Sequence, residues 1–306
     1  MTATTDRQGS TLEQPRPSSP VDKLAPRRPV TSKVGLAVVR HILIICALAV
    51  LLYPLVWMVA ASLRPGDQTF NGLGLGSERY TLENYANGWS VGTLNFSTYF
   101  VNSVAISALS IAGTLFSCTL TAYAFARLRF PLKRLLFALL LGTMLLPQHV
   151  TLVPKYVLFN NLSWINTYLP LVVPHWLGTE AFYIFLMVQF IRNIPKSLDE
   201  SARIDGAGHF GIFWRIIIPL ALPAIGTTAM FTFIATWNDL LGPLLYLTES
   251  SRWTVPLGLN SFLDQTGQST YGTLFAMSVL SLAPIVGFFI ASQRLLVEGI
   301  ATTGLK

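Results

Sequence analysis

Charge is scarce in this sequence. Of its 306 residues only 21 are Lys or Arg and 14 are Asp or Glu, 11% in all, where an ordinary soluble domain carries roughly 25%. So little charge cannot cover the water-facing surface of the two soluble domains that this length would otherwise accommodate. Cysteine is nearly absent as well. Cys46 and Cys118 both lie inside apolar runs, which excludes a disulfide framework and a zinc site built on clustered thiolates. Catalytic signatures are missing too. None of the six lysines follows a glycine, so there is no Gly-Lys-Ser/Thr phosphate-binding loop and the chain is not itself an ATP-hydrolysing motor. Neither Gly-x-Ser-x-Gly nor His-Glu-x-x-His occurs. The four histidines, His41, His149, His175 and His209, are scattered and read as structural or interfacial rather than as metal ligands.

What the sequence has instead is apolar length: 52% of its residues are hydrophobic. Residues 1–36, rich in Pro, Ser, Thr and Arg, read as a disordered cytoplasmic tail. They carry no apolar core and small-residue cleavage site, so the first apolar run, Ile42–Leu63, is expected to be a retained span rather than a secretory signal. Five further runs follow at Val101–Ala126, Leu135–Pro154, Tyr168–Ile191, Leu220–Tyr246 and Tyr271–Gln293, each near the ~20 residues that cross a bilayer. The fold class is therefore an all-α membrane protein with six helical spans. Its orientation follows from the basic residues. Seven lie in the tail to Arg40, four in 127–134, four in 192–215 and two from Arg294 onward, against only Arg64, Arg79, Lys155 and Arg252 in the alternate loops. The first set belongs to the cytoplasm, with both termini. This bias also accounts for the net charge of +7 and leaves nothing for nucleic acid to explain.

One cytoplasmic loop, 192–219, is patterned. Within it runs Ile194-Pro195-Lys196-Ser197-Leu198-Asp199-Glu200-Ser201-Ala202-Arg203-Ile204-Asp205-Gly206-Ala207, continuing to Ile216-Ile217-Ile218-Pro219. Ser197 followed three residues later by Glu200 predicts a capping box that opens a short helix. Gly206 is placed to end that helix with positive φ, and Pro219 and Pro223 set the start of the fifth span. Taken locally, this is a capped amphipathic helix at the membrane surface.

The same loop resembles the Glu-Ala-Ala loop of permease subunits of ATP-binding-cassette (ABC) importers, where a Gly after the Glu-Ala-Ala is followed ten residues on by Ile-x-Leu-Pro. Here Glu200, Gly206, Ile216 and Pro219 hold those places, with Ser201 for the first Ala and Ile218 for Leu. Asp205-Gly206-Ala207, Arg294-Leu295-Leu296-Val297-Glu298-Gly299-Ile300, Thr81-Leu82-Glu83-Asn84-Tyr85 and Tyr99-Phe100-Val101-Asn102-Ser103 resemble the carbohydrate-uptake branch, and in particular its smaller, maltose-type permease partner. The resemblance covers about residues 40–306. It implies a six-helix permease domain over 37–306 and a cytoplasmic coupling helix that docks on an ATPase subunit through Glu200, Ser201, Ala202, Asp205, Gly206, Ala207, Ile216 and Pro219. It also implies a heteromeric importer in the bacterial cytoplasmic membrane. Its other parts are a second related permease, two ATPase subunits that bind the ATP and Mg, and an extracytoplasmic sugar-binding protein. No cofactor is expected in this chain. In relatives of this type a loop corresponding to 248–270 enters the binding protein's cleft, which points to Asp264, Gln265, Thr266, Gly267 and Gln268.

The competing class is a secondary transporter or channel that works alone. Such proteins place ionisable groups at the midplane, often on inverted repeats. Only Glu180 and Asp239 lie within or beside the spans, and no inverted repeat is evident, so an ion pathway is poorly served. Glu180 lies twelve residues in from Arg192, roughly 18 Å along a helix. It faces a watery cavity, or it is a first-turn acid at the outer boundary if Pro174 and Gly178 delay the helix. Trp237-Asn238-Asp239 offers stacking and hydrogen bonds to a sugar, or anchors the span at the interface.

Overall fold

The computed structural model describes residues 30–65, 79–90, 95–263 and 271–303, and among these the regular structure is helical, without a strand. Helix α1 spans Val30–Ser62, α2 Glu83–Trp89, α3 Phe96–Arg127, α4 Lys133–Thr143, α5 Gln148–Asn161, α6 Leu169–Trp176, α7 Ala181–Asn193 and α8 Lys196–Ile204. A short α9, His209–Ile212, leads through a π turn, Phe213–Ile217, into α10, Ile218–Leu220. The chain closes with α11 Leu222–Trp237, α12 Leu241–Tyr246, α13 Val255–Ser261 and α14 Tyr271–Thr303.

Two units divide the chain, residues 1–54 and 55–306. In the first, α1 exposes large apolar side chains on every face from Leu36 to Tyr53, the pattern of a helix whose surroundings are lipid. It begins at Val30, so residues 30–36, expected to belong to the tail, are helical. Pro29 is the last proline before the apolar run, and no further proline removes a backbone donor until Pro54, well inside α1.

In the second unit α3 packs against α6, α7, α11 and α13, and α11 against α14. The reason lies in one face of α3. Ser103, Ser107, Ser110, Thr114 and Ser117 recur at spacings of four and three and are all buried, so small side chains let neighbouring backbones approach closely. Two of them also donate to carbonyls of α6: Ser117 Oγ to that of His175, at the end of the helix, at 2.7 Å, and Ser110 Oγ to that of Leu171 at 3.5 Å. Two apolar clusters flank this seam. Cys118, Tyr123, Ile184, Met187, Ile191, Ile212, Phe213 and Ile217 join α3 and α7 to the α9–α10 segment. Phe96, Phe233, Trp237, Val255, Phe262 and Met277 join α3, α11, α13 and α14.

Four helical stretches among the described residues are long and apolar enough to cross a membrane: Gly35–Ser62, Phe96–Arg127, Leu169–Asn193 and Tyr271–Gln293. The pair His209–Leu220 and Leu222–Trp237 makes a fifth if taken as one span bent by 74°. The bend falls at Ala221, between Pro219 and Pro223, each of which removes a backbone donor. The prolines thus bend this stretch where they were expected to start it, and the expected span Leu220–Tyr246 is divided between α11 and α12. The expected third span, Leu135–Pro154, is not one helix. Its residues divide between α4 and α5 at Met144–Pro147, where the chain must leave the α region ahead of Pro147. The stretch Leu169–Asn193 is likewise broken at Leu177–Glu180, where Gly178 takes φ +67°.

Close packing at the α3–α6 contact makes a test. A Cβ on Gly113 would lie within 2.4–2.7 Å of the Trp176 ring, whose Nε1 is tied to the Leu109 carbonyl at 3.1 Å, whereas one on Gly142 meets nothing within 4 Å. Gly113→Val should destabilise the purified protein by about 1–3 kcal/mol through overpacking, read as a lowered thermal midpoint. Gly142→Val should leave that midpoint where it is or raise it slightly.

Candidate functional site

The patterned loop folds as a helix with defined ends. Pro195, extended at ψ 131°, immediately precedes α8, and no side chain caps its amino end. The expected capping box is therefore not formed. The ring of Pro195 already holds a φ of −56° and brings the helix start forward, so Ser197 becomes the second helical residue. Its carbonyl accepts a bond from Ser201 Oγ at 2.9 Å, and Glu200 is left exposed. The carboxyl end is as the glycine predicts. Gly206 sits at φ +84°, its N–H bonds to the Arg203 carbonyl at 3.0 Å, and the Ala207 N–H bonds to that of Ala202 at 2.8 Å. Those two bonds make a Schellman motif that satisfies the last carbonyls of the helix.

What holds α8 in place is an ion pair. Arg127, the last residue of α3, puts Nε 3.1 Å from Asp199 Oδ2, with side-chain exposures of 2% and 8%. Its Nη2 donates to the Ile194 carbonyl at 2.7 Å. Nearby, Tyr123 Oη donates to the His209 carbonyl at 3.1 Å, so α3 grips both ends of the loop that carries α8. Ala202 and Ala207 pack against the adjoining apolar cluster, while Ile216 is half-buried and Pro219 exposed. Glu200, Ser201, Asp205 and Gly206 all face outward. Beside them stand apolar side chains that the sequence reading passed over: Ile204 is 87% exposed and Phe210 73%, with Trp214 half-exposed and its ring 6.1 Å from that of Phe210. Their signal was available, since three large apolar residues sit in a polar loop outside any span. Such an exposed apolar patch rimmed by charge marks a protein-contact surface.

A second site lies among the spans. Glu180 occupies the break just before α7, with Oε1 3.5 Å from His175 Nδ1. Thr114 Oγ1 is 3.2 Å from the same nitrogen. Asp239 lies between α11 and α12, where its Oδ1 accepts the Gly242 N–H at 3.0 Å. Glu180, His175, Asp239, Lys155 and Thr236 all line one cavity of about 250 Å³, and Glu180 and Lys155 line a neighbouring one of about 540 Å³ as well. The fold thus brings together Glu180 and Asp239, 59 residues apart in sequence. Trp237 and Asn238 are elsewhere. Trp237 is 1% exposed, packed on Phe100 and Phe233 with its indole N–H bonded to the Ser281 carbonyl at 3.1 Å. Asn238 is exposed and returns its amide to the Ile234 carbonyl of its own helix.

Asp264, Gln265, Thr266, Gly267 and Gln268 lie outside the described residues. The earlier part of the 248–270 segment is packed, because α13 buries Val255 and Leu257, and Phe262 follows it into the core. No group of three or more potential metal ligands occurs among the described residues.

The ion pair sets a prediction. Asp199→Ala strands a buried guanidinium, which costs about 3–5 kcal/mol, and should appear as a lower thermal midpoint and easier proteolysis of 195–219. The exchange Arg127→Asp with Asp199→Arg should recover part of that loss. Independent, additive losses from the two changes would mean that the contact carries no coupling.

The comparisons with known proteins agree with this architecture. Residues 113–301 match the family described as binding-protein-dependent transport system inner membrane component. The trehalose/maltose transport system permease protein MalG of Thermococcus litoralis is 34% identical over 83% of this chain and 91% of its own. The sn-glycerol-3-phosphate transport system permease protein UgpE of Yersinia pestis is 32% identical over 89% and 98%. In fold, the chain is similar to a crystal structure of a bacterial ABC transporter involved in the import of the acidic polysaccharide alginate. The TM-score is 0.77 at 20% identity, covering 88% of this chain and 99% of that one. The chain is an integral membrane protein and belongs to the family of binding-protein-dependent transport system inner membrane components, the permeases of ABC importers.

Proposed function

We propose that this permease moves a sugar or oligosaccharide into the cytoplasm by alternating access. It pairs with a second related permease and is driven by two separate ATPase subunits that bind the ATP and Mg, so hydrolysis is not its own chemistry. An extracytoplasmic binding protein delivers the sugar. The trehalose/maltose system named for a relative at 34% identity supports a sugar. The 17 basic residues on one side against four on the other support six spans with both termini in the cytoplasm.

The observation that carries the reading is the two-sided character of α8. One side is locked to the end of α3 by the buried Arg127–Asp199 pair; the other presents Glu200, Asp205 and Ile204 with no partner in this chain's apolar clusters. An element fixed to a span on one face and free on the other can pass a displacement from a docked subunit to the membrane helices. Ile204 and Phe210 fit an apolar groove on the ATPase, and Glu200 and Asp205 pair with basic groups around it. Ser201 keeps the contact shallow, Ala202 and Ala207 seat the helix on the apolar cluster behind it, and Gly206, Ile216 and Pro219 set the path back to α11.

The substrate path runs past the cavity of Glu180 and Asp239, whose carboxylates accept hydrogen bonds from sugar hydroxyls. Trp237 and Asn238 contribute from behind it by fixing the α11–α12 corner. Asp264, Gln265, Thr266, Gly267 and Gln268 meet the binding protein.

Co-purification tests the docking surface. Glu200→Lys and Ile204→Asp should each weaken retention of the ATPase subunits by roughly tenfold or more and abolish ATP-driven uptake, while the permease still inserts and keeps its second permease partner. Full retention and uptake in the double variant would remove α8 from the interface.

A further inference from the structure

Beside the coupling helix, the end of α3, the 128–132 connection and α8 enclose a cavity of about 700 Å³. Arg127, Arg129, Lys133, Lys196 and Arg203 line it, with His209, against only two carboxylates, Asp199 and Glu200. Like charges held this close repel one another unless an anion sits among them. The deepest of the cations is also incompletely matched. Arg127 Nη1 and Nε are both buried without a hydrogen-bond partner, as is Asp199 Oδ1, although Nε stands 3.1 Å from Asp199 Oδ2 in the ion pair and Nη2 donates to the Ile194 carbonyl. A buried guanidinium donor left unpaired keeps the cost of its lost hydration, and an oxyanion in the cavity supplies its acceptor. Lys133 reports the same crowding: burial, then the positive charges of Arg192, Lys196 and Arg129, push its pKa below the usual lysine value.

The identity of the anion follows from what adjoins the cavity. Helix α4 starts at Lys133, and none of its residues is buried. Leu132, Leu135, Leu136 and Leu139 stand exposed, interleaved with and following Arg129, Lys133 and Arg134 in sequence. Basic residues at the foot of an apolar, outward-facing helix are at headgroup depth, where basic pockets hold the phosphates of acidic lipids. A free phosphate has no use for those leucines.

We propose that this cavity binds the headgroup of an anionic phospholipid, its phosphate held by Arg129, Lys133 and the free Nη1 of Arg127, and its acyl chains lying along the leucines of α4. The lipid thereby neutralises the base of the coupling helix and ties the Arg127–Asp199 pair to the membrane surface. This assignment is independent of the sugar reading, because it concerns a different cavity and needs no transport to be measured.

Native mass spectrometry tests it on the purified full-length chain released from micelles that contain equal phosphatidylglycerol and phosphatidylcholine. One phosphatidylglycerol should be retained in preference to phosphatidylcholine. Retention should fall roughly tenfold or more in Arg129→Gln/Lys133→Gln, two neutralised contacts, and hold in Arg134→Gln, which removes one charge from the same connection but does not line the cavity. Thermal melts of all three variants without lipid establish that they fold alike. Three outcomes overturn the proposal: equal retention in the double variant and Arg134→Gln, displacement of the lipid by excess inorganic phosphate, which would make it a free-phosphate site, or loss of the lipid whenever ATPase subunits co-purify, which would give the cavity to an acidic segment of a docked protein.

Discussion

Everything that the cytoplasmic loop does in this chain depends on a guanidinium and a carboxylate meeting out of water. The Arg127–Asp199 contact, 3.1 Å long and nearly closed to solvent, joins the last residue of a membrane-crossing helix to the first turn of α8. Without it, α8, a nine-residue helix too short to be stable alone, would be held only by the packing of Ala202 and Ala207 and by the Tyr123–His209 bond. With it, α8 inherits the rigidity of a 32-residue helix. Burying such a pair adds little net stability, since the desolvation of both ions offsets their attraction. Its effect is on position: breaking it is costly, so the helix has one place to be.

The rest of the second unit follows a complementary rule, that polar groups among the spans must find partners inside the protein. The hydroxyl stripe of α3 satisfies a carbonyl freed where α6 ends, and that early ending opens the break in which Glu180 sits. The same break leaves Glu180, His175 and Asp239 around a cavity instead of against lipid. Packing and polarity therefore come from one feature, a face of small hydroxyl residues that admits close backbones and bonds to them.

Much of this was legible in the sequence because it is local. Gly206, Pro219 and Pro223 act on their own backbones, and each ends or bends a helix where its chemistry demands. The break before α7 could be read from Pro174 and Gly178. Local signals fail where two of them compete. Ser197 and Pro195 both nominate the start of α8, and the proline wins because its ring fixes φ at no further entropic cost. Leu135–Pro154 has the hydropathy of a span, but Pro147 divides it. Arg127 and Asp199 are 72 residues apart, and neither carries a mark that names the other, so only the fold reveals the pair. Trp237 shows the opposite limit: its indole matches both a sugar platform and a core residue, and its burial against Phe100 and Phe233 is settled by tertiary packing alone.

The central claim is that α8 and the end of α3 move as one body when the ATPase subunits close. Spin labels placed at Ser197 and Leu120, in a background with Cys46 and Cys118 replaced by serine, measure it by pulsed electron resonance on the assembled importer. The account predicts the same narrow distance distribution in the nucleotide-free and ATP-trapped states, while a second pair linking Ser197 to the other permease subunit shifts. A Ser197–Leu120 distance that shifts or broadens on trapping would show that α8 moves independently of α3, and would contradict it.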